Sequence, residues 1–162
     1  MVSSISPPSG VFVPVPTFFQ PTRSTAETNG SNGTKVNTFQ PVIDVPTQVR
    51  HSVHLAQRGI HGLVLLGSTG EAIHLSREER FSLISGVRSG LDNAGFQNYP
   101  IMAGVLVNSI DETLQWLQDS AKAGAQWGLV LAPGYFGQAV SQENLIEWYT
   151  IVADQSPIPI LM

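Results

Sequence analysis

The chain has 162 residues, and its hydrophobic fraction of 42% is enough for one domain with a substantial core. Its formal net charge of −4 offers no electrostatic basis for binding nucleic acid or an anionic membrane, and the absence of cysteine excludes disulfides and a thiolate nucleophile. No apolar run approaches the roughly 20 residues of a membrane span and no secretory signal opens the chain, so we expect a cytoplasmic protein with a small-molecule or protein partner.

The first 40 residues alternate between polar and apolar stretches. Residues 1–9 are rich in serine and proline, which predicts a disordered N-terminus. Residues 10–19 have the β-branched and aromatic content of a strand, although Pro14 and Pro16 cannot donate to a regular ladder. Residues 20–40 are of low complexity and predict a mobile insertion within a domain that spans residues 10–162.

Signals for the start of a helix recur four times after this insertion. Asp44, followed two residues later by proline, predicts the first helix, and Gly59 predicts its end. Ser76 and Ser109 are each followed three residues later by glutamate, the pattern of a capping box. Ser141 precedes a fourth apolar periodicity of the helical type, so we expect four helices.

Apolar segments separate these helices. They lie at residues 63–66, 100–106, 126–133 and 157–162. Each is nearly free of polar side chains, which indicates strands that are buried on both faces of a parallel sheet. Together with the strand at residues 10–19, they predict five strands that alternate with the four helices.

This alternation favours a (β/α)₈ barrel, which typically takes about 250 residues, so the chain would form a partial barrel of five strands and four helices. The alternative is a doubly wound nucleotide-binding sheet. Neither G-x-G-x-x-G nor G-x-x-x-x-G-K-[ST] occurs in the sequence, and residues 67–71 offer no lysine for a phosphate. We therefore prefer the barrel.

The segment at residues 67–71 is the candidate functional site. Ser68 and Thr69 follow a buried strand directly, between Gly67 and Gly70, which we expect to let the backbone turn without a Cβ penalty. Small anionic ligands bind at the carboxyl ends of parallel strands, because loop N–H groups and helix N-termini point there. The alternative is that both hydroxyls only satisfy backbone donors of the turn and of the following helix.

Two histidines of the first predicted helix form the other candidate cluster. His51 and His54 are three residues apart and can share one face. No carboxylate occurs in the same turn, so a solvated helix surface is favoured over a metal site. We expect neither a metal nor a cofactor.

The motif Gly-Ser-Thr-Gly-Glu at residues 67–71, followed by Leu-Ser-Arg-Glu-Glu at residues 75–79, resembles the Gly-Thr-Thr-Gly-Glu signature and the next helix start of the dihydrodipicolinate synthase and N-acetylneuraminate lyase family. The resemblance extends over residues 10–162 apart from the insertion. Residues 17–19 and 156–159 are most similar to fungal-type members, the hydroxy-oxoglutarate and deoxy-hexulosonate aldolases.

The resemblance implies a (β/α)₈ fold and class I aldolase chemistry, in which a lysine forms a Schiff base with pyruvate or another 2-oxo acid. It implies that Gly67, Ser68, Thr69 and Gly70 bind the substrate carboxylate. It further implies that Ser68 and Tyr135 are catalytic, as members of a proton relay. Serine stands at position 68 where the family usually has its first threonine.

The Schiff-base lysine of this family belongs to the sixth strand of the barrel, which the five predicted strands do not include. The two lysines of the sequence are Lys35, in the polar insertion, and Lys122, near the end of a helix. Our hypothesis is an aldolase-type chain that is inactive alone. The alternative is a non-enzymatic chain that associates with another barrel chain, either a second copy or a full-length paralogue.

Overall fold

The computed structural model describes residues 6–21, 41–135 and 137–162. In chain order their elements are β1 (Phe12–Pro14), α1 (Val45–Gln57), β2 (Gly62–Leu65), α2 (Arg77–Asn93), β3 (Ile101–Val105), α3 (Ile110–Ala123), β4 (Trp127–Val130), α4 (Gln142–Gln155) and β5 (Ile160–Leu161). Short 3₁₀ helices, Ala72–His74 and Gly137–Ala139, follow β2 and β4. Strand and helix alternate as the sequence predicts, and none of the described helices is long and apolar enough to cross a membrane.

The strands form one sheet in the order β1-β2-β3-β4-β5, and every neighbouring pair is parallel. Val64 lies opposite Met102, and Met102 lies opposite Trp127, so the register is continuous across the middle of the sheet. Each helix returns the chain from the carboxyl edge of the sheet to its amino edge. All five strands therefore end at the same edge.

The sheet is apolar on both faces. The larger core lies between the sheet and the helices, and its fully buried members include Leu63, Leu65, Leu83, Ile101 and Leu117. A smaller cluster on the other face consists of Val64, Met102 and Trp127, with Phe12, Leu129 and Leu161 packed against it. Burial on both faces explains why the strand segments contain hardly any polar side chains.

The helix starts follow the predicted capping residues. Ser76 Oγ accepts from Glu79 N at 3.2 Å, and Ser76 N donates to the Glu79 carboxylate at 2.8 Å, which completes the capping box of α2. Asp44, Ser109 and Ser141 likewise accept from a backbone N–H in the first turn of α1, α3 and α4. All four predicted starts are confirmed, but the capping box predicted at Ser109 forms only in part, since the described hydrogen bonds there include Glu112 N to Ser109 Oγ and not the reciprocal one.

Two predicted strands are much shorter in the structure. Of residues 10–19 only Phe12–Pro14 pair as a strand, and of residues 157–162 only Ile160–Leu161 do so. Proline has no backbone N–H, so Pro16, Pro157 and Pro159 cannot donate to a neighbouring strand. The apolar pattern located both strands, and prolines lie within or beside both of them.

The predicted disordered N-terminus and mobile insertion fall mostly outside the described residues, which omit residues 1–5 and 22–40. The described flanks of the insertion lie side by side. Phe19 and Ile43 form an antiparallel bridge, and Gln20 N donates to Val42 O at 2.9 Å. The chain therefore enters and leaves the insertion at one place.

The buried face of α1 contains two polar residues. Its buried residues are Gln48, Ser52 and Ala56. Ser52 Oγ donates to Gln48 O at 2.8 Å, and Gln48 Oε1 accepts from Phe18 N at 3.2 Å. The segment after β1 thus supplies a donor to the Gln48 oxygen, a contact that helical periodicity does not reveal, whereas Gln48 Nε2 is buried without a hydrogen-bond partner among the described residues.

Candidate active site

The signature turn, residues 67–71, follows β2 directly at the carboxyl edge of the sheet. Gly70 N donates to Gly67 O at 3.0 Å, and Glu71 N donates to Ser68 O at 3.2 Å, so two successive turns reverse the chain. The glycines are buried, whereas Ser68 and Thr69 are exposed. The turn therefore presents both hydroxyl residues at the edge where ligands bind in parallel folds.

The glycines of the turn serve a different purpose from the one the sequence suggests. The positive φ angles belong to Leu66 (60°) and Glu71 (54°), which flank the glycines. A Cβ on Gly70 would lie 2.9 Å from both Leu66 N and Leu66 Cα, whereas a Cβ on Gly67 would meet only Val64, at 3.8 Å. Close approach of the backbone, and not a left-handed conformation, is what requires glycine at position 70.

The two hydroxyls of the turn do not cap a helix. The 3₁₀ helix Ala72–His74 has no side-chain cap, and Ser76 caps α2. Within the described part of the chain, the side chains of Ser68 and Thr69 make no hydrogen bond. The alternative that assigned them only to backbone donors is therefore wrong, and both hydroxyls are available to a ligand.

At the carboxyl edge of the sheet, the segments that directly follow β1 to β4 contain one charged residue, Glu71. Residues 15–21, 66–71, 106–109 and 131–135 contain neither lysine nor arginine. A carboxylate at this edge would therefore meet hydroxyl and amide donors instead of a fixed cation. Such donors bind an anion by directed hydrogen bonds and do not depend on their own ionisation.

Tyr135 lies on the loop after β4. Its backbone N–H donates to Asn108 Oδ1 at 3.2 Å, and the residue is 82% exposed. The other two tyrosines have structural roles, because Tyr99 donates to Ile60 O and Tyr149 donates to Val130 O, and burial raises the pKa of both phenols. Tyr135 is thus the tyrosine that the fold places at the carboxyl edge.

The predicted site residues all lie at the carboxyl edge of the sheet, but they follow different strands. Ser68 and Thr69 follow β2, Tyr135 follows β4, and β3 lies between them. Adjacent strands are about 4.8 Å apart, so the ends of β2 and β4 are separated by about 10 Å. A substrate that bridges the two loops would span the end of β3.

Sequence reasoning missed three residues around this site. Thr17, after β1, donates from Oγ1 to Gly70 O at 2.6 Å. Gly104, in β3, lies against Leu66 and Gly67, and Asn108 accepts from the loop of Tyr135. Their position at or near the carboxyl ends of strands is visible in the sequence, but their partners are 27 to 53 residues away along the chain.

Lys122, the lysine among the described residues, is far from this edge in the topology. It lies in the last turn of α3, five residues before β4 begins at the amino edge of the sheet. Its side chain is exposed. Lys35, the other lysine of the sequence, lies outside the described residues.

The two histidines of α1 are not arranged as a metal site. The His51 ring packs edge-on against Phe18 with the ring centroids 5.2 Å apart, whereas His54 is exposed. Within the described residues, no three His, Asp or Glu side chains are grouped as metal ligands.

Parallel strands with a helix between each pair and a hydroxyl-bearing turn at the carboxyl edge define the chain as part of a (β/α)₈ barrel. Residues 42–162 match the model of the dihydrodipicolinate synthetase family. Because this match covers most of the chain, the protein belongs to that family. The expected family and the partial barrel are both confirmed.

Relatives of this chain include fungal aldolases. The L-threo-3-deoxy-hexylosonate aldolase of Aspergillus niger is 41% identical over 154 residues, which cover 94% of this chain and 41% of that protein. The structure of a dihydrodipicolinate synthase family protein from Coccidioides immitis superposes with a TM-score of 0.72 at 33% identity, over 93% of this chain and 42% of the other.

The structure of one bacterial relative contains a bound ligand. YagE, a family member from Escherichia coli, was solved in complex with pyruvate and superposes with a TM-score of 0.69 at 27% identity, over 93% of this chain and 43% of that one. The present chain thus spans about two fifths of the length of the relatives it matches.

Proposed function

We propose that this chain supplies the carboxylate-binding part of a Schiff-base aldolase site for pyruvate or a related 2-oxo acid. The observation that carries the proposal is the signature turn, whose two exposed hydroxyls make no hydrogen bond within the described residues at the carboxyl edge of the sheet. Pyruvate in the related Escherichia coli structure supports the choice of ligand.

In this proposal Ser68, Thr69 and the amides of the signature turn bind the substrate carboxylate. An amine condenses with the 2-oxo group and releases water, and loss of a C3 proton then gives the enamine that attacks an aldehyde. Ser68 and Tyr135 carry the protons, because hydroxyl groups can both donate and accept them without being charged at rest.

We further propose that the amine is not supplied by residues 1–162 alone. Lys122 is exposed and lies near the amino edge of the sheet, at the opposite end of the strands from the signature turn. Treatment with pyruvate and borohydride is expected to leave the mass of the chain unchanged. A stable pyruvate adduct on Lys35 or Lys122 would contradict this part of the proposal.

Binding to the turn is tested separately from the chemistry. A ¹⁵N-labelled chain titrated with pyruvate is expected to show amide shifts that are concentrated at residues 67–71. Thr69→Val is expected to weaken these shifts, whereas the matched control Thr150→Val, whose hydroxyl bonds Ile146 O on α4, leaves them unchanged. Shifts that are absent from the turn, or equal in both variants, would refute the proposal.

A second candidate function is association through the outer flank of α4 and β5. In the described sheet β5 pairs only with β4, and two adjoining depressions beside it are lined mainly by Leu145, Ile146, Tyr149, Ala153, Ile160 and Met162. Ile146 is 67% exposed and Met162 is 81% exposed. A second copy of the chain would bury this apolar flank and the open strand edge.

Light scattering tests this association. Wild-type chain is expected to form dimers or larger species that Ile146→Asp reduces. The matched control is Ile73→Asp, because Ile73 is similarly exposed at 61% but lies after β2. A monodisperse monomer, or equal effects of the two variants, would exclude association through this flank.

A further inference from the structure

The signature turn is held from one side by the segment after β1. Thr17 Oγ1 donates to Gly70 O at 2.6 Å, and the two residues are 53 positions apart in the sequence. Thr17 is 8% exposed and Gly70 is buried, so water cannot readily replace the hydroxyl. A buried carbonyl that loses its donor is costly, and the turn therefore depends on this contact.

The other side of the turn rests on β3. A Cβ on Gly104 would lie 2.2 Å from Leu66 O and 2.7 Å from Gly67 Cα. Such distances are impossible without movement of the backbone. The peptide that enters the turn therefore occupies the space that a side chain at position 104 would take.

The backbone of the turn is conformationally strained at both of its ends. Leu66 has a φ angle of 60° and Glu71 has a φ angle of 54°, in the left-handed region that residues other than glycine rarely adopt. Such conformations persist only where neighbouring structure enforces them. Thr17, after β1, and Gly104, in β3, provide neighbours of this kind.

We propose that Thr17 is a positioning residue for the carboxylate site, and that its hydroxyl together with the space at Gly104 fixes the turn that presents Ser68 and Thr69. The identity of the anion rests on the proposed function, whereas the positioning of the turn does not. Removal of the Thr17 hydroxyl should therefore loosen the turn and weaken carboxylate binding without unfolding the sheet.

The test compares Thr17→Val with Thr17→Ser in the full chain. Valine keeps the size of threonine but removes the donor, and we expect hydrogen exchange at the amides of Gly70 and Glu71 to rise about tenfold and pyruvate affinity to fall about tenfold. Serine keeps the donor, so in Thr17→Ser the exchange rate and the pyruvate affinity are expected to stay close to those of the wild-type chain. If the valine variant does not fold, Thr17→Ala removes the same hydrogen bond with less crowding.

The matched control is Thr47→Val. Thr47 Oγ1 donates to Asp44 Oδ2 at 2.6 Å and accepts from Arg50 at 2.7 Å, so this change removes threonine hydrogen bonds at the start of α1, away from the turn. It is expected to leave exchange in the turn and pyruvate affinity unchanged. Equal effects of the two valine variants would mean that Thr17 contributes only to general stability, and would overturn the inference.

Failure of the two proposals can be distinguished. If wild-type chain does not bind pyruvate, the proposed function fails, and hydrogen exchange alone then decides whether Thr17 positions the turn. If wild-type chain binds pyruvate and Thr17→Val binds it equally well with unchanged exchange, the positioning role is refuted while the proposed function stands.

Discussion

The two loops that carry the candidate site are held in different ways. The signature turn after β2 has buried glycines, accepts a hydrogen bond from Thr17 and lies against Gly104. The loop after β4 exposes 82% of Tyr135, and Asn108 supports its backbone through a hydrogen bond between exposed residues. One end of the site is packed, and the other faces solvent.

This difference follows from the places of the two strands in the sheet. β2 has β1 on one side and β3 on the other, and both contribute contacts to the signature turn. β4 has the two-residue strand β5 as its outer neighbour. The signature turn is therefore enclosed by neighbouring strands on both sides, whereas the loop of Tyr135 lies at the exposed side of the sheet.

The largest effect is expected at the glycine beneath the signature turn. Gly104→Ala places a Cβ against the Leu66 carbonyl and should lower the free energy of unfolding by about 1–3 kcal/mol, the usual cost of overpacking. Gly134→Ala, where a Cβ would meet only Ala132 O at 3.9 Å, should stay within about 0.5 kcal/mol. Urea denaturation followed by circular dichroism measures both, and equal losses would remove the contrast between the loops.

A smaller effect of opposite sign is expected at the end of the signature turn. Glu71→Gly relieves a left-handed conformation that costs about 1–2 kcal/mol, less the backbone entropy of glycine, so the free energy of unfolding should rise by about 0.5–1 kcal/mol. Glu78→Gly, in the first turn of α2, should instead lower it, because glycine weakens a helix. Thermal melting of the two variants decides the sign, and destabilisation by both would show that position 71 is unstrained.

The smallest effect is expected at the loop after β4. Asn108→Ala removes the acceptor of Tyr135 N and should change the free energy of unfolding by less than about 0.5 kcal/mol, because both residues are exposed. Hydrogen exchange at the Tyr135 amide should nevertheless rise about fivefold. Exchange at the Gly70 and Glu71 amides serves as the internal control, and a simultaneous rise there would mean that the two loops are coupled.

Much of the architecture could be predicted because its causes are local. Ser76 and Glu79 form the expected capping box, Gly124 ends α3 with a φ angle of 104°, and apolar runs mark the strands. These features depend on residues that are neighbours in the chain. The prolines within or beside β1 and β5 are likewise visible in the sequence, and they indicate strands that cannot donate at every position.

The candidate site was only partly predictable. The motif at residues 67–71 identified the two hydroxyl residues and, through its resemblance to a known signature, the family that the comparisons confirm. It did not reveal that positive φ angles fall on Leu66 and Glu71, because φ is set by how the turn fits between its neighbours. The catalytic roles of Ser68 and Tyr135 remain predictions.

Local sequence patterns account for the alternation of strands and helices, the starts of the helices and the motif at the carboxyl edge. What holds that motif in place depends instead on contacts between strands. Thr17 and Gly104 reach the turn only because β1 and β3 flank β2. No periodicity or local motif predicts the contact between Thr17 and Gly70, which are 53 residues apart. Local hydrogen bonds and side-chain patterns depend on residues that are close in the sequence, so they can be predicted from it. Close approach between strands arises only when the sheet forms.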